Sequence, residues 1–280
     1  MVVETALEDT DLGPPADNEV EPKKAPKQIL RQEIVEGVDA LQRQSAALVI
    51  SGLSAGLDIG FSLFLMAVIR TLVDGTFEKS AAFLLTANAY AVGFIFVVLG
   101  RSELFTEQTT LAVLPVLNRR AGISDLLRLW SIVLVSNLVG AAAFAALTAV
   151  IGPELGVIDV RVLGGFARQI IDHSSVTILA SAVLAGWLMG LLSWLVTASR
   201  DTISQIVIVW LIATVIGICR LHHAIVGSVE VLAGIFAGQG ITAADYGRFL
   251  LWAVLGNALG GSFFVAFIKY SYAIRGRVAS

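Results

Sequence analysis

Residues 81–100 read AAFLLTANAYAVGFIFVVLG, and residues 101–108 read RSELFTEQ. The first stretch has no charged side chain and, as a helix rising about 1.5 Å per residue, is long enough to cross the hydrocarbon core of a bilayer. The second places Arg101, Glu103 and Glu107 directly after it, and Leu111 to Leu117 then resume an apolar run. The same order recurs once: residues 203–219 read ISQIVIVWLIATVIGIC, residues 220–223 read RLHH, and residues 224–236 read AIVGSVEVLAGIF. Each passage predicts a span, a polar break and a half-span. Irregular backbone at membrane depth persists only where protein buries it or where it borders a water-filled path. Two such breaks predict an all-α membrane protein with a solute path where they meet.

The remainder of the chain agrees. Of 280 residues, 56% are apolar and 15% charged, against about 45–50% and about 25% in soluble domains; a water-soluble globular enzyme is excluded. Further apolar stretches at 46–70, 126–151, 176–198 and 249–268 bring the expected transmembrane helices to six, with the second and fifth broken. Residues 1–27 combine acidic, lysine and proline residues with little apolar surface and predict a disordered cytoplasmic tail; they lack the basic start, apolar stretch and cleavage site of a signal peptide. Over 28–45, Leu30, Ile34, Val38 and Leu41 recur at helical spacing among charges, which predicts an amphipathic helix at the membrane interface. The membrane domain then covers 46–272, and 273–280 form a cytoplasmic C-terminal tail. One set of flanks holds Lys23, Lys24, Lys27, Arg31, Arg43, Arg119, Arg120, Arg128, Arg200, Lys269, Arg275 and Arg277; the other holds Arg70, Lys79, Arg161, Arg168 and Arg248. That bias predicts both termini on the cytoplasmic side of the cell membrane. The net charge of −3 gives no pull toward nucleic acid. The single cysteine, Cys219, allows no intrachain disulfide.

The two halves resemble each other. Ala55-Gly56 and Gly60 of the first span match Ala185-Gly186 and Gly190 of the fourth. Trp130 and Asn137-Leu138-Val139-Gly140 of the third match Trp252 and Asn257-Ala258-Leu259-Gly260 of the sixth, and the breaks match as Arg101-Ser102-Glu103 and Arg220-Leu221-His222. The offsets are 130, 120 and 119 residues. Three matches in order predict a duplicated three-helix unit. Three is odd, so the second unit must cross in the opposite sense. Inverted repeats with an interrupted helix in each half are a transporter and channel architecture, with the solute site near the midplane.

Glu103-Leu104-Phe105-Thr106, after an interrupted second span, resembles the loop motif of the formate/nitrite transporter family. Leu221-His222-His223-Ala224-Ile225 resembles that family's Glu-His-Ser-Ile/Val-Ala-Asn motif in the fifth span, and Trp187, the two Asn-x-x-Gly helices and the amphipathic leader are similar too. The likeness covers about residues 28–272. It implies an aquaporin-like fold, a homopentamer with one pore per protomer, and passage of a small monovalent anion or its conjugate weak acid, such as formate, nitrite or hydrosulfide. The chain also departs from the family. It has Arg101 and Arg220 where members have Gly, His222 for Glu, Ala224 for Ser, Gly227 for Asn, and Gly186 for the Asn before the tryptophan. The path has gained two guanidinium groups and lost several neutral polar contacts, as in a divergent branch.

The resemblance makes His223 the central histidine. A midplane imidazole can share or donate a proton to an anion that would otherwise cross a dry pore bare; the plainer reading is a neutral histidine that hydrogen-bonds a carbonyl freed at the break. His222 points about 100° away around a helix and is expected as a structural partner more than a pore residue. A two-histidine metal site with Glu103 or Glu107 is a rival reading, although no metal or other cofactor is expected. Thr106 matches the loop threonine that faces the permeating ion, or else satisfies its own loop. Leu104 and Phe105 resemble the hydrophobic gate and loop plug. Phe94 and Ile216 fall where the two constrictions belong, though helix packing would place them equally well; apolar constrictions gate by dewetting.

Arg101, Glu103, Glu107, Arg220 and Glu230 gather around the breaks. An unpaired charge at a span centre costs about 2.5–3.5 kcal/mol. The arginines are therefore expected either to be locked in salt bridges with Glu107 or Glu230, or to offer donors to an entering anion. A neutral-solute pore is the alternative, though neither break carries Asn-Pro-Ala. A closed, non-conducting member is another. An intramembrane enzyme would need a set such as His-Glu-x-x-His, which is absent, so no catalytic residue is expected.

Overall fold

The computed structural model describes residues 23–275, and their regular structure is helical throughout. In chain order the helices are α1 (Pro26–Gln42), α2 (Ser45–Val73), α3 (Lys79–Ala89), α4 (Ala91–Gly100), α5 (Phe105–Leu111), α6 (Val113–Leu117), α7 (Ile123–Glu154), α8 (Val160–Ile171), α9 (Ser175–Ala198), α10 (Thr202–Ile218), α11 (Ala224–Phe236) and α12 (Ala243–Leu259). A π-helical stretch, Gly260–Phe267, carries α12 into α13 (Ile268–Arg275). Polar side chains set several starts. Asp159, Ser174, Asp201 and Thr242 each accept a backbone N–H from the first turn of α8, α9, α10 and α12, satisfying a donor that has no partner within the helix.

Five helical runs are long and apolar enough to cross a membrane: Ser45–Val73, Lys79–Gly100, Ile123–Glu154, Ser175–Ala198 and Ala243–Ile274. The protein is thus an all-α membrane protein with several apolar helices. The passage expected as a broken fifth span consists of two shorter apolar helices, α10 and α11. Between α7 and α9 the chain forms a further helix, α8. Most of the expected tail, residues 1–22, lies outside the described residues, and helix α1 already includes Pro26 and Lys27. Of the C-terminal tail, 276–280 lie outside the described residues and 273–275 belong to α13.

Close helix crossings explain the glycine and asparagine matches. A side chain on Gly56 of α2 would overlap the backbone of Asn137 on α7, and one on Gly140 would meet Leu53 and Gly56. In the second half, a side chain on Gly186 of α9 would overlap the backbone of Asn257 on α12, and one on Gly260 would overlap Val183 and Trp187. Small residues let membrane helices approach to backbone contact, where dispersion and interhelical hydrogen bonds replace the hydrophobic effect as the attraction. Tyr90 interrupts the second span between α3 and α4. Ser62 of α2 satisfies the backbone there: its hydroxyl donates to Tyr90 O (2.7 Å) and accepts from Gly93 N–H (3.0 Å).

Helix α1 spends its apolar stripe on protein. Ile29, Leu30 and Ile34 are buried with Leu114 and Trp194 in a cluster separate from the main core. The same face buries a carboxylic acid. Glu33 is fully buried; Ser193 Oγ of α9 donates to its Oε1 at 2.9 Å, and Oε2 has no partner among the described residues. Burial, only partly offset by the Ser193 hydrogen bond, pushes this carboxyl from its usual 4.5 up to about 8. Docked α1 therefore holds a proton that undocked α1 releases above about pH 4.5. Docking is strongest below that pH and weakens as pH rises toward 8, by about 1.4 kcal/mol per unit inside the window. Proteolysis within α1 of detergent-solubilised protein is expected to accelerate about tenfold or more between pH 6 and pH 8, and Glu33→Gln should abolish the acceleration. Equal protection of the wild type at both pH values would contradict this.

Candidate functional site

Two buried asparagines build the breaks. Asn137 Nδ2 donates to Gly52 O (2.8 Å) and Glu103 O (2.9 Å), and its Oδ1 accepts from Phe105 N–H (2.8 Å). Asn257 Nδ2 donates to Ala182 O (2.8 Å) and His222 O (3.0 Å), and its Oδ1 accepts from Ala224 N–H (2.8 Å). Each amide clamps the last irregular residues of a break and the first N–H of the half-helix behind it, satisfying groups that have no helical partner. The Asn-x-x-Gly match is therefore a matched set of three hydrogen bonds.

The clamps bring Thr106 and His223 together. Thr106 lies in the first turn of α5, His223 stands at the N-cap of α11, and Thr106 Oγ1 lies 2.8 Å from His223 Nε2. Both are buried. His223 Nδ1 accepts from Val226 N–H at 3.3 Å. That bond assigns the ring proton to Nε2, which then donates to Thr106. The Thr106 hydroxyl proton remains to be offered to a solute. Phe94 of α4 meets the His223 ring edge to face at 5.2 Å. Leu104, Phe94 and Ile216 are completely buried. Phe105, matched to a loop plug, is the first residue of α5 and packs on Trp130 with ring centroids 5.9 Å apart.

Two chambers flank this pair. One, open and of about 1200 Å³, is lined by α1 and by Arg101, Glu103 and Glu107. The other, of about 240 Å³, is lined by Arg70, Lys79, Arg220, Glu230, Ile216 and, at its inner end, His223. Arg70 lies near the end of α2 remote from α1, so the chambers open on opposite sides. Arg101 and Arg220 occupy matching places, each ending a helix in the left-handed region, at φ 53° and φ 49°. There the helix ends in a Schellman pattern: Ser102 N–H reaches Val97 O (3.1 Å), and Leu221 N–H reaches Ile216 O (3.0 Å). A non-glycine residue in that conformation costs roughly 1–2 kcal/mol, which is the physical reason glycine suits both positions.

The expected arginine salt bridges do not form. Neither Arg101 nor Arg220 has an ion pair with Glu107 or Glu230 among the described residues. Both are exposed, Arg101 lining the larger chamber and Arg220 the smaller. Arg220 lies over the Phe83 ring, 4.7 Å from its centroid. The partner of Glu103 is Arg43, at 2.8 Å, from just beyond α1, and Gln108 hydrogen-bonds its other oxygen. Sequence reasoning missed Arg43, whose position 60 residues upstream gives no local signal. His222 is a brace: its backbone N–H and Nδ1 both meet Ser181 Oγ (3.1 and 2.9 Å), and Nε2 meets Ile170 O (3.0 Å), tying α11 to α9 and α8. His173 approaches His222 with ring centroids 5.5 Å apart.

The family model described as formate/nitrite transporter matches residues 27–271. The chain is 30% identical over 243 residues to the inner membrane protein YfdC of Escherichia coli (strain K12), an alignment covering 84% of this chain and 75% of that one. Two solved structures share the fold. An FNT family ion channel matches with a TM-score of 0.76 at 20% identity, covering 88% of this chain and 98% of the other. A pentameric formate channel with formate bound matches with a TM-score of 0.69 at 19% identity, covering 82% and 98%.

Proposed function

Because the chain belongs to the formate/nitrite transporter family, a family of membrane channels and transporters for anions and not of enzymes, we propose that it passes a small monovalent anion or its conjugate weak acid through each protomer. The observation that carries this reading is the Thr106–His223 contact, buried between two chambers on opposite sides. The contact offers polar atoms in an otherwise apolar waist formed with Phe94, Leu104 and Ile216. Six spans arranged as two inverted three-helix repeats account for the paired asparagine clamps and the paired left-handed arginines. The α1 side is cytoplasmic with both termini, following the lysine and arginine bias, and the protein assembles as a homopentamer in the cell membrane. Arg101 and Arg220 present donors to entering anions at the two mouths, where apolar residues alone would repel them.

Purified protein in liposomes tests the reading against formate, nitrite, hydrosulfide, acetate, lactate and glycerol. Flux of one or more of the anions, with glycerol excluded, is the expected result. Glycerol flux without anion flux would replace it with a neutral-solute pore, and no flux at all would leave a closed member of the family. In mild detergent the particle mass should equal five chains; a stable monomer or trimer would contradict the assembly.

A further inference from the structure

Glu230 is the one acid among the described residues that line the smaller chamber. It lies on the same face of α11 as His223 and Gly227, the i, i+4, i+7 stripe, and all three line that chamber. Seven residues along a helix put it about 10 Å above the waist. Its side chain is 4% exposed, and it has neither a hydrogen bond nor an ion pair among the described residues. A carboxylate left unpaired at that depth is expensive, and its field would turn back the anions that Arg220 draws in. Protonated, it is neutral and carries an acidic O–H directed at the solute path. His223 is poorly placed for that task, because Nε2 is engaged by Thr106 and Nδ1 by Val226 N–H.

We propose that Glu230 is the proton-donating residue of this pore. The step balances simply. An anion drawn into the chamber takes the Glu230 proton: the carboxyl O–H breaks, an O–H (or, for hydrosulfide, S–H) bond forms on the solute, and Glu230 is left as carboxylate. No electrons change hands. The neutral acid crosses the His223 waist, and water entering from the chamber mouth returns a proton to Glu230, so one proton moves with each anion. The other charged and titratable groups facing this chamber are Arg70 of α2, Lys79 and Tyr90 of the second span, Arg220 of the break and His223; α8 contributes none, its nearest polar residue there being Gln169. Tyr246 of α12 donates its hydroxyl to Ser228 of α11, and α7 has no titratable residue between Arg128 and Glu154. None of the three cations forms an ion pair with Glu230 among the described residues, and Arg70 is paired with Asp74.

The inference rests on the anion-pore reading, and formate entry into liposomes loaded with a pH-sensitive dye separates the two. Wild type should take up formate and protons together, with flux about tenfold or more higher at pH 5 than at pH 8. Glu230→Gln should flatten that profile to about twofold or less and uncouple or abolish proton entry, whereas Glu230→Asp should keep part of both. A folded Glu230→Gln protein with the wild-type profile and proton coupling overturns the inference and leaves the pore reading standing. A wild type passing no anion overturns both. Should Glu230→Gln fail to assemble, a hydrophobic carbodiimide on the wild type decides. Modification located at Glu230 by mass spectrometry, slowed by formate and blocking flux, supports the proposal; an unmodified Glu230, or a modified one with flux intact, refutes it.

Discussion

Asn257→Leu is expected to yield no folded protein after extraction in mild detergent. Leucine has the same branching and the same number of side-chain heavy atoms as asparagine, so shape alone would predict a milder effect. The hydrogen bonds say otherwise. Removing this amide strands the carbonyls of Ala182 and His222 and the N–H of Ala224, all at a buried break that no helical partner can rescue. Each stranded group costs about 1–3 kcal/mol, giving about 3–9 kcal/mol against a total stability of order 5–15 kcal/mol. Asn137→Leu strands the corresponding carbonyls of Gly52 and Glu103 and the N–H of Phe105 and should fail equally. Asn257→Asp keeps the acceptor but loses both donors, so it should not rescue. Asn88, whose amide donates to Leu84 O on an exposed surface, supplies the control: Asn88→Ala should elute and melt as wild type. Size-exclusion chromatography with thermal unfolding reads all four, and a monodisperse Asn257→Leu protein of wild-type melting temperature would refute the clamp.

Removing either member of the waist pair should lower anion flux by about ten- to a hundredfold, the equivalent of one or two hydrogen bonds lost at the point of greatest desolvation. Thr106→Val is the cleanest form, because it replaces the hydroxyl with a methyl group of similar size. It should leave the protein folded, since Thr106 Oγ1 has no described side-chain partner besides His223. His223→Phe removes both ring nitrogens and the acceptor for Val226 N–H, so its loss should be at least as large. The double variant should be no worse than His223→Phe, because the two groups act as one contact. Flux of formate or nitrite into liposomes measures the series; wild-type flux in Thr106→Val, or additive losses in the double variant, would separate Thr106 from the path.

How much of this was legible in the residues is clearest at the asparagines. Their Asn-x-x-Gly spacing and offset of 120 residues mark a repeat, but repetition does not say what an amide touches. Spans, breaks and helix starts follow from local rules. A long apolar run in lipid has one way to satisfy its backbone, and a charged break after such a run has to be sheltered. Hence the helices over 45–73, 79–100, 123–154 and 175–198 lie within a few residues of their expected ranges. The left-handed places of Arg101 and Arg220 were also signalled, as substitutions at glycine positions.

What could not be read were the partners. Arg43 with Glu103, Ser193 with Glu33, and Ser181 and Ile170 with His222 join residues 41 to 160 positions apart. The salt bridges expected of Arg101 and Arg220 came from charges near one another in the chain, whereas among the described residues neither arginine pairs with Glu107 or Glu230, and Arg220 lies over the Phe83 ring. Composition, apolar run length and the order of breaks thus settled the class of the fold, because lipid leaves the backbone few alternatives. Which side chain meets which, and that Thr106 and His223 stand 2.8 Å apart between two chambers, was settled by packing. Hydrogen bonds at a break depend on orientation and distance, and only the docked helices supply those.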